Sequence, residues 1–239
     1  MAQSVQMKII ARIRSDFPTK FGIPRQSGVV EGLKARIVFE PEYRDANALR
    51  GLEDFSHLWL IWQFSEAVRD TWSPTVRPPR LGGNTRLGVF ATRSPFRPNA
   101  IGLSSVKIEG IEPRAGEGTV IFVSGADLMD GTPIFDIKPY LAYTDSHPDA
   151  SGGFTDETQW QETEVVFPNR LLELIPEDRR DGLLGVLRQN PCPTYKSGSD
   201  RVYGMEFGSF DIGFVYKDGK IEVISVKSRV MGENHEGTV

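Results

Sequence analysis

Apolar and polar residues alternate in short runs along the first 140 residues, and apolar residues recur at helical spacing only beyond them. Residues 33–40, LKARIVFE, place Leu33, Ala35, Ile37 and Phe39 on one side, the two-residue period of a strand. Residues 7–13 form a shorter β-rich run. Residues 56–64, SHLWLIWQF, are apolar enough that both faces of the strand are expected to be buried. Residues 86–104, RLGVFATRSPFRPNAIGLS, predict a strand, a stiff loop and a second strand. Leu87, Val89 and Ala91 alternate there with Gly88, Phe90 and Thr92. Ser94-Pro95 ends the run, because proline removes a ladder donor and restricts the residue before it. Residues 104–112 and 119–125 predict two strands around a turn. Residues 127–141, DLMDGTPIFDIKPYL, predict a turn followed by a last strand. Asp45 is placed to cap a short helix through Leu49, ended by Gly51.

Short strands with no recurring helical crossover argue for an antiparallel barrel or sandwich and against a doubly wound sheet. The polar, small-residue segment 147–157, HPDASGGFTDE, marks a boundary. Beyond it, residues 168–175 and 177–189 predict helices with Leu171, Leu172, Leu184 and Leu187 toward a core, and Pro191 and Pro193 stop the second. Residues 203–207, 210–216 and 220–226 predict a meander, with Asp218-Gly219 as a hairpin turn. The expected fold is therefore mainly β. An N-terminal antiparallel β-barrel of about six or seven strands spans 1–146, and a smaller α+β domain spans 158–230. A polar tail follows at 231–239.

Charge changes this picture locally. The formal net charge is −4, which gives no global case for nucleic-acid binding. Residues 71–108, however, contain no Asp or Glu, yet hold Arg77, Arg80, Arg86, Arg93, Arg97 and Lys107. Two prolines, Pro95 and Pro98, stiffen the loop around Phe96-Arg97. A rigid basic loop suits an anionic partner; a loop whose arginines are merely solvated fits the composition equally well. The single cysteine, Cys192, excludes an intrachain disulfide framework. With only His57, His147 and His235 as imidazoles, no structural metal is expected. No apolar run is long enough to span a bilayer and no leader pattern opens the chain, so a cytoplasmic protein is expected. The usual glycine-rich nucleotide fingerprints are absent.

Five segments in order carry a resemblance: PRQ at 24–26, FSHLWL at 55–60, RPPRLGG at 77–83, GVFATRSPFRPNAIG at 88–102 and DLMDGTPIFDIKPYL at 127–141. Together they resemble the tRNA methyltransferases of the TrmO type. The C-terminal part fits more loosely, through NPCPTY at 190–195 and the terminal hairpin. The resemblance implies a β-barrel methyltransferase acting as a homodimer. It implies methyl transfer from S-adenosylmethionine to N6 of threonylcarbamoyladenosine beside the anticodon of tRNA. It also implies a cofactor site drawn from Pro24, Arg25, Gln26, Ser65, Glu66, Arg93, Leu103, Asp130, Gly131, Thr132 and Pro133. At Ser65-Glu66 the chain departs from the histidine and glutamine that the resemblance implies for some relatives.

The chemistry so implied asks for placement of an activated methyl group, and for help to a poorly nucleophilic nitrogen. Asp130, Asp136 and Tyr140 are the candidate catalytic groups within the last motif, although an aspartate before glycine is more often a turn former. Arg86, Arg97, Lys196 and Arg201 are the candidate tRNA contacts. His57 and Cys192 read as structural, and Trp59, Trp62 and Phe64 as core. The other class of reading is a non-catalytic β-barrel module that binds S-adenosylmethionine or RNA.

Overall fold

The computed structural model describes residues 4–82, 84–157, 161–192 and 201–229. Six strands make the first sheet: β1 (Ala11–Arg14), β2 (Lys34–Phe39), β3 (His57–Gln63), β6 (Ile101–Arg114), β7 (Gly118–Ser124) and β8 (Pro133–Pro139). Their order is β1-β2-β7-β6-β3-β8, every pairing antiparallel. β8 returns to β1 through Ala11↔Ile134 and Arg12↔Pro133, so each of the six has two partners. β6 bends to make this possible. Ile101 to Lys107 pairs with β3, and the register then shifts between Ile108 and Gly110 as the strand continues along β7. Such an irregularity adds twist and lets one strand serve two neighbours.

The inner face is set by the alternation in the sequence. In β3, Leu58, Leu60 and Trp62 are buried, while His57, Trp59, Ile61 and Gln63 are only partly covered. Both faces of this strand were expected to be buried; the outer one is half open. Ala11, Ile13, Ile37, Val106, Ile121, Val123 and Ile134 complete the core, each fully buried Ile or Leu stabilising by about 1.5–3 kcal/mol.

Residues 86–92 do not form the expected strand of this sheet. Only β5 (Leu87–Gly88) is extended, paired with β4 (Thr75–Val76), and Val89–Ala91 winds into a 3-10 turn. That turn buries Val89 and leaves Phe90 70% exposed. Asp45 does cap a turn, accepting from Asn47 N at 2.9 Å, but the turn, Ala46–Leu49, is also 3-10.

After two single-turn helices, α1 (Ala142–Asp145) and α2 (Phe154–Glu157), the chain enters the second sheet. β9 (Glu164–Val166) pairs in parallel with β12 (Lys220–Ser228), which continues to β11 (Phe210–Lys217) and β10 (Val202–Phe207). α3 (Asn169–Leu172) and α4 (Glu177–Arg188) lie between β9 and β10 in the chain. Residues 147–157 do not divide the packing. Phe17, Val30 and Leu33, from the β1–β2 connection, belong to the same core as Leu183, Val186, Leu187, Met205, Phe207 and Phe214. The expected polar tail lies outside the described residues.

Candidate functional site

The strand order sends three connections to one end of the six-stranded sheet. These are residues 15–33 after β1, residues 64–100 after β3 and residues 125–132 after β7. They are stitched together in pairs. Arg93 Nη1 donates to Gln26 Oε1. Gly28 N donates to Gly125 O at 2.8 Å, Lys20 Nζ to Glu66 O at 2.8 Å, and Asp130 N to Phe17 O at 2.8 Å. Gln26 and Arg93, far apart in the chain, are thus brought into contact. Pro24 is buried in the same connection; Arg25 beside it is exposed. Ser65 and Glu66 are exposed on the 3-10 turn Ser65–Ala67 at this end.

A polar chain runs from the core to this end. Trp62 Nε1 donates to Ser104 Oγ at 3.0 Å, and the Ser104 hydroxyl donates to Asp127 Oδ1 at 2.6 Å. An indole N–H can only donate, which fixes the first bond, and an ionised Asp127 can only accept, which fixes the second. Gly102 makes room for the indole: a Cβ there would stand 2.2 Å from Trp62 Cε2. Burial raises the Asp127 carboxyl above its ordinary value. The Ser104 hydrogen bond, the nearby Arg93 charge and the backbone of Ser27 act the other way. Asp127 therefore meets the elements that carry Gln26 and Arg93. It is absent from the residues expected from the sequence, because its only local signal is its place at the start of DLMDGTP, three residues before the more conspicuous Asp-Gly pair.

Asp130 itself is occupied. Its Oδ1 accepts from Ser15 N at 3.0 Å, and its Oδ2 lies 3.6 Å from Arg14 Nη1. The N–H groups of Asp130, Gly131 and Thr132 donate to Phe17 O, Ile13 O and Met129 O at 2.8, 2.9 and 3.2 Å. Thr132 and Pro133 are buried. The three backbone donors of this turn are all committed within the chain. It fastens the first connection to the third.

Asp136 and Tyr140 are not gathered with these groups. Asp136 Oδ2 lies 2.9 Å from Lys138 Nζ, on β8 opposite Ile61. Tyr140 stands at the far end of β8, where its N–H donates to His57 O and its ring lies 5.5 Å from that of Trp59. Leu103, 57% exposed, is on the outer face of β6. There it shares a shallow groove of about 330 Å³ with Trp59, Ile61, Lys138 and Asp145. Trp59 Nε1 donates to Asp145 Oδ2 at 2.8 Å, so Trp59 covers the outside of the sheet, whereas Trp62 and Phe64 pack as core.

Arg86 and Arg97 of the basic segment are each held by a hydrogen bond. Arg86 Nη1 donates to Thr75 Oγ1 at 3.1 Å and Arg97 Nη1 to Thr92 O at 3.2 Å. Arg201 lies over the Tyr203 ring at 5.4 Å, on the second sheet. Lys196 falls outside the described residues. His57 Nδ1 is 2.9 Å from Ser56 Oγ, and Cys192 is buried with its thiol pushed up to about 11 by burial.

The comparisons with known proteins fall on both sheets. The family described as tRNA-methyltransferase O N-terminal domain matches residues 12–146, and that described as TrmO C-terminal domain matches residues 163–229. The tRNA (adenine(37)-N6)-methyltransferase of Escherichia coli strain K12 is 38% identical over 234 residues, covering 95% of this chain and 99% of that protein. A protein of Methanothermobacter thermautotrophicus, described as a probable S-adenosyl-L-methionine-binding protein, is 34% identical over 142 residues, 59% of this chain and 94% of its own length. The crystal structure of TrmO from P. aeruginosa superposes with a TM-score of 0.77 at 32% identity, covering 95% and 99% of the two chains.

Proposed function

This chain belongs to the TrmO family, and on that premise we propose that it is an S-adenosylmethionine-dependent tRNA methyltransferase acting on N6 of adenosine 37. In this reading the six-stranded sheet is the β-barrel methyltransferase domain, and the second sheet supports its cofactor loop and assists tRNA binding. The finer substrate is the threonylcarbamoylated form of that adenosine.

The observation that carries the reading is the convergence of Gln26, Arg93 and Asp127 at one end of the sheet. The donor set suits the cofactor. A guanidinium complements a carboxylate, and a carboxylate complements a positive charge. Bound there, S-adenosylmethionine supplies an activated methyl group. Arg93 and Gln26 hold its polar end, with Pro24 and Arg25 shaping the same connection and Ser65-Glu66 bordering it. Asp127 fixes Arg93 and the 26–28 segment. The turn at 130–133 acts at one remove, by fastening residues 13–17. Asp136 and Tyr140 make no contact with this cluster within one copy of the chain.

The reading includes a homodimer, supported by the exposed Ile101 and Leu103 on the outer face of β6. It includes a cytoplasmic setting, in keeping with a tRNA substrate. Among the described residues no helix is long and apolar enough to cross a membrane. Arg86 and Arg97, with Lys196 and Arg201, are assigned to tRNA phosphates.

The test is methyl transfer from labelled S-adenosylmethionine to threonylcarbamoylated tRNA and to the same tRNA without that group. Label in the first alone is expected. Cofactor binding with transfer to neither would return the non-catalytic module.

A further inference from the structure

The β3–β6 connection exposes aromatic rings that no core uses. Trp72 is 52% exposed, Phe90 70% and Phe96 40%. Trp72 and Phe90 form a tilted pair, with ring centroids 6.0 Å apart and planes at 34°. Guanidinium groups accompany them: Arg69 sits 3.9 Å over the Phe96 ring and Arg97 6.0 Å over that of Phe90. The same connection carries Arg93, whose side chain reaches Gln26. Burying rings on the protein's own core would have been the cheaper arrangement, because exposed Trp and Phe forgo burial energy.

We propose that Trp72, Phe90 and Phe96, with Arg69 and Arg97, form a stacking platform for unstacked bases of a single-stranded RNA loop. Stacking on aromatic faces and guanidinium planes is how single-stranded RNA is held, since every base has a π-face. The charge of the segment selects this occupant. From Thr71 to Ile108 there is no carboxylate side chain to repel a phosphate backbone, and six arginine and lysine residues attract one. The platform flanks Arg93, so bases next to a target adenosine stack while that adenosine is presented to the cofactor end. The proposal rests on the tRNA methyltransferase reading for its substrate, but its binding test does not depend on methyl transfer.

The experiment uses the full chain and a labelled anticodon stem-loop RNA, with a blunt duplex of equal charge as control. Phe90→Leu and Trp72→Leu keep apolar bulk and remove the π-face; Phe90→Trp keeps it. Each leucine variant is expected to weaken stem-loop binding roughly 5- to 150-fold, the range for one stacked base. Duplex binding and S-adenosylmethionine affinity stay unchanged, and Phe90→Trp retains wild-type affinity. With tRNA as substrate the loss appears in KM, with kcat kept. Unchanged stem-loop binding in both leucine variants would overturn the platform. So would a loss that appears equally on the duplex, or one that accompanies dissociation of a dimer, which would make the rings an interface between copies. Failure of methyl transfer by the wild-type chain would count against the enzyme reading and leave this binding test standing.

Discussion

Asp16 Oδ1 lies 2.8 Å from Arg179 Nη1, and this contact ties the residue that follows β1 by two positions to the first turns of α4. Gly208 N donates to Asp16 O at 2.7 Å from the second sheet as well. The neighbouring Ser15 and Phe17 are fastened to the 128–130 segment. The end of the first sheet where residues 15–33, 64–100 and 125–132 meet is thereby braced by the second.

Replacing Arg179 by alanine should therefore destabilise the chain by about 1–2 kcal/mol, because it strands a carboxylate whose side chain is only 14% exposed. The 38% exposure of Arg179 keeps the loss below that of a fully buried pair. Burial already raises the Asp16 carboxyl and Arg179 opposes that rise, so the variant raises it further. A carboxyl raised in the folded state loses stability as pH climbs past its unfolded value. The deficit should be largest at neutral pH and shrink toward pH 3 in denaturant titrations. A deficit independent of pH would contradict the ion-pair account.

Gly182→Ala should destabilise although alanine is the better helix former. A Cβ at Gly182 would stand 2.9 Å from the backbone oxygen of Gly32, which cannot rotate aside. We expect a cost of about 1–3 kcal/mol, together with weaker S-adenosylmethionine binding as residues 26–33 shift. Thermal melts and calorimetry on the same sample check both. A stabilised variant would show that α4 and the β1–β2 connection are not in contact as described.

Asp127→Asn separates stability from function. The folded carboxyl is raised by burial, so the folded state holds the proton more tightly and stability falls as pH rises above the ordinary aspartate value. Asparagine still accepts from Ser104 without carrying charge. The variant should match or exceed the wild type in stability at neutral pH, with a flatter pH profile, yet lose about tenfold or more in kcat/KM through a misplaced Arg93. Equal activity would remove Asp127 from the site.

Cys192 should resist alkylation by iodoacetamide at pH 8 in the native chain, because burial holds its thiol at about 11 and only the thiolate reacts. Mass spectrometry should find it labelled only after unfolding. Rapid native labelling would mean that the 190–192 turn opens readily.

The strands of the first sheet were legible because an inner and an outer face impose a period of two; LKARIVF and HLWLIWQ carry it openly. The same pattern misled at Leu87–Ala91. There the apolar alternation serves one buried side chain, Val89, in a tight turn. β9 was invisible because three residues hold no period. Phe17, Val30 and Leu33 sit in a turn-rich connection, and nothing local to them announces a partner in α4 some 150 residues on. The site divides likewise. Motif resemblance located the Gln26 and Arg93 segments, but the bond between them and the Ser104–Asp127 contact are long-range pairings that only the fold brings about.

In the proposed function the cofactor is held where the three connections meet, by Gln26 and Arg93. Calorimetric titration of S-adenosylmethionine into four variants of the full chain tests it most directly. Arg93→Ala and Gln26→Ala should each weaken binding about tenfold or more, the loss expected of a hydrogen bond to a charged group. Asp136→Ala and Tyr140→Phe should bind as the wild type does. Normal binding by the first pair with weakened binding by the second would contradict the account and move the cofactor to the outer face of β3, β6 and β8.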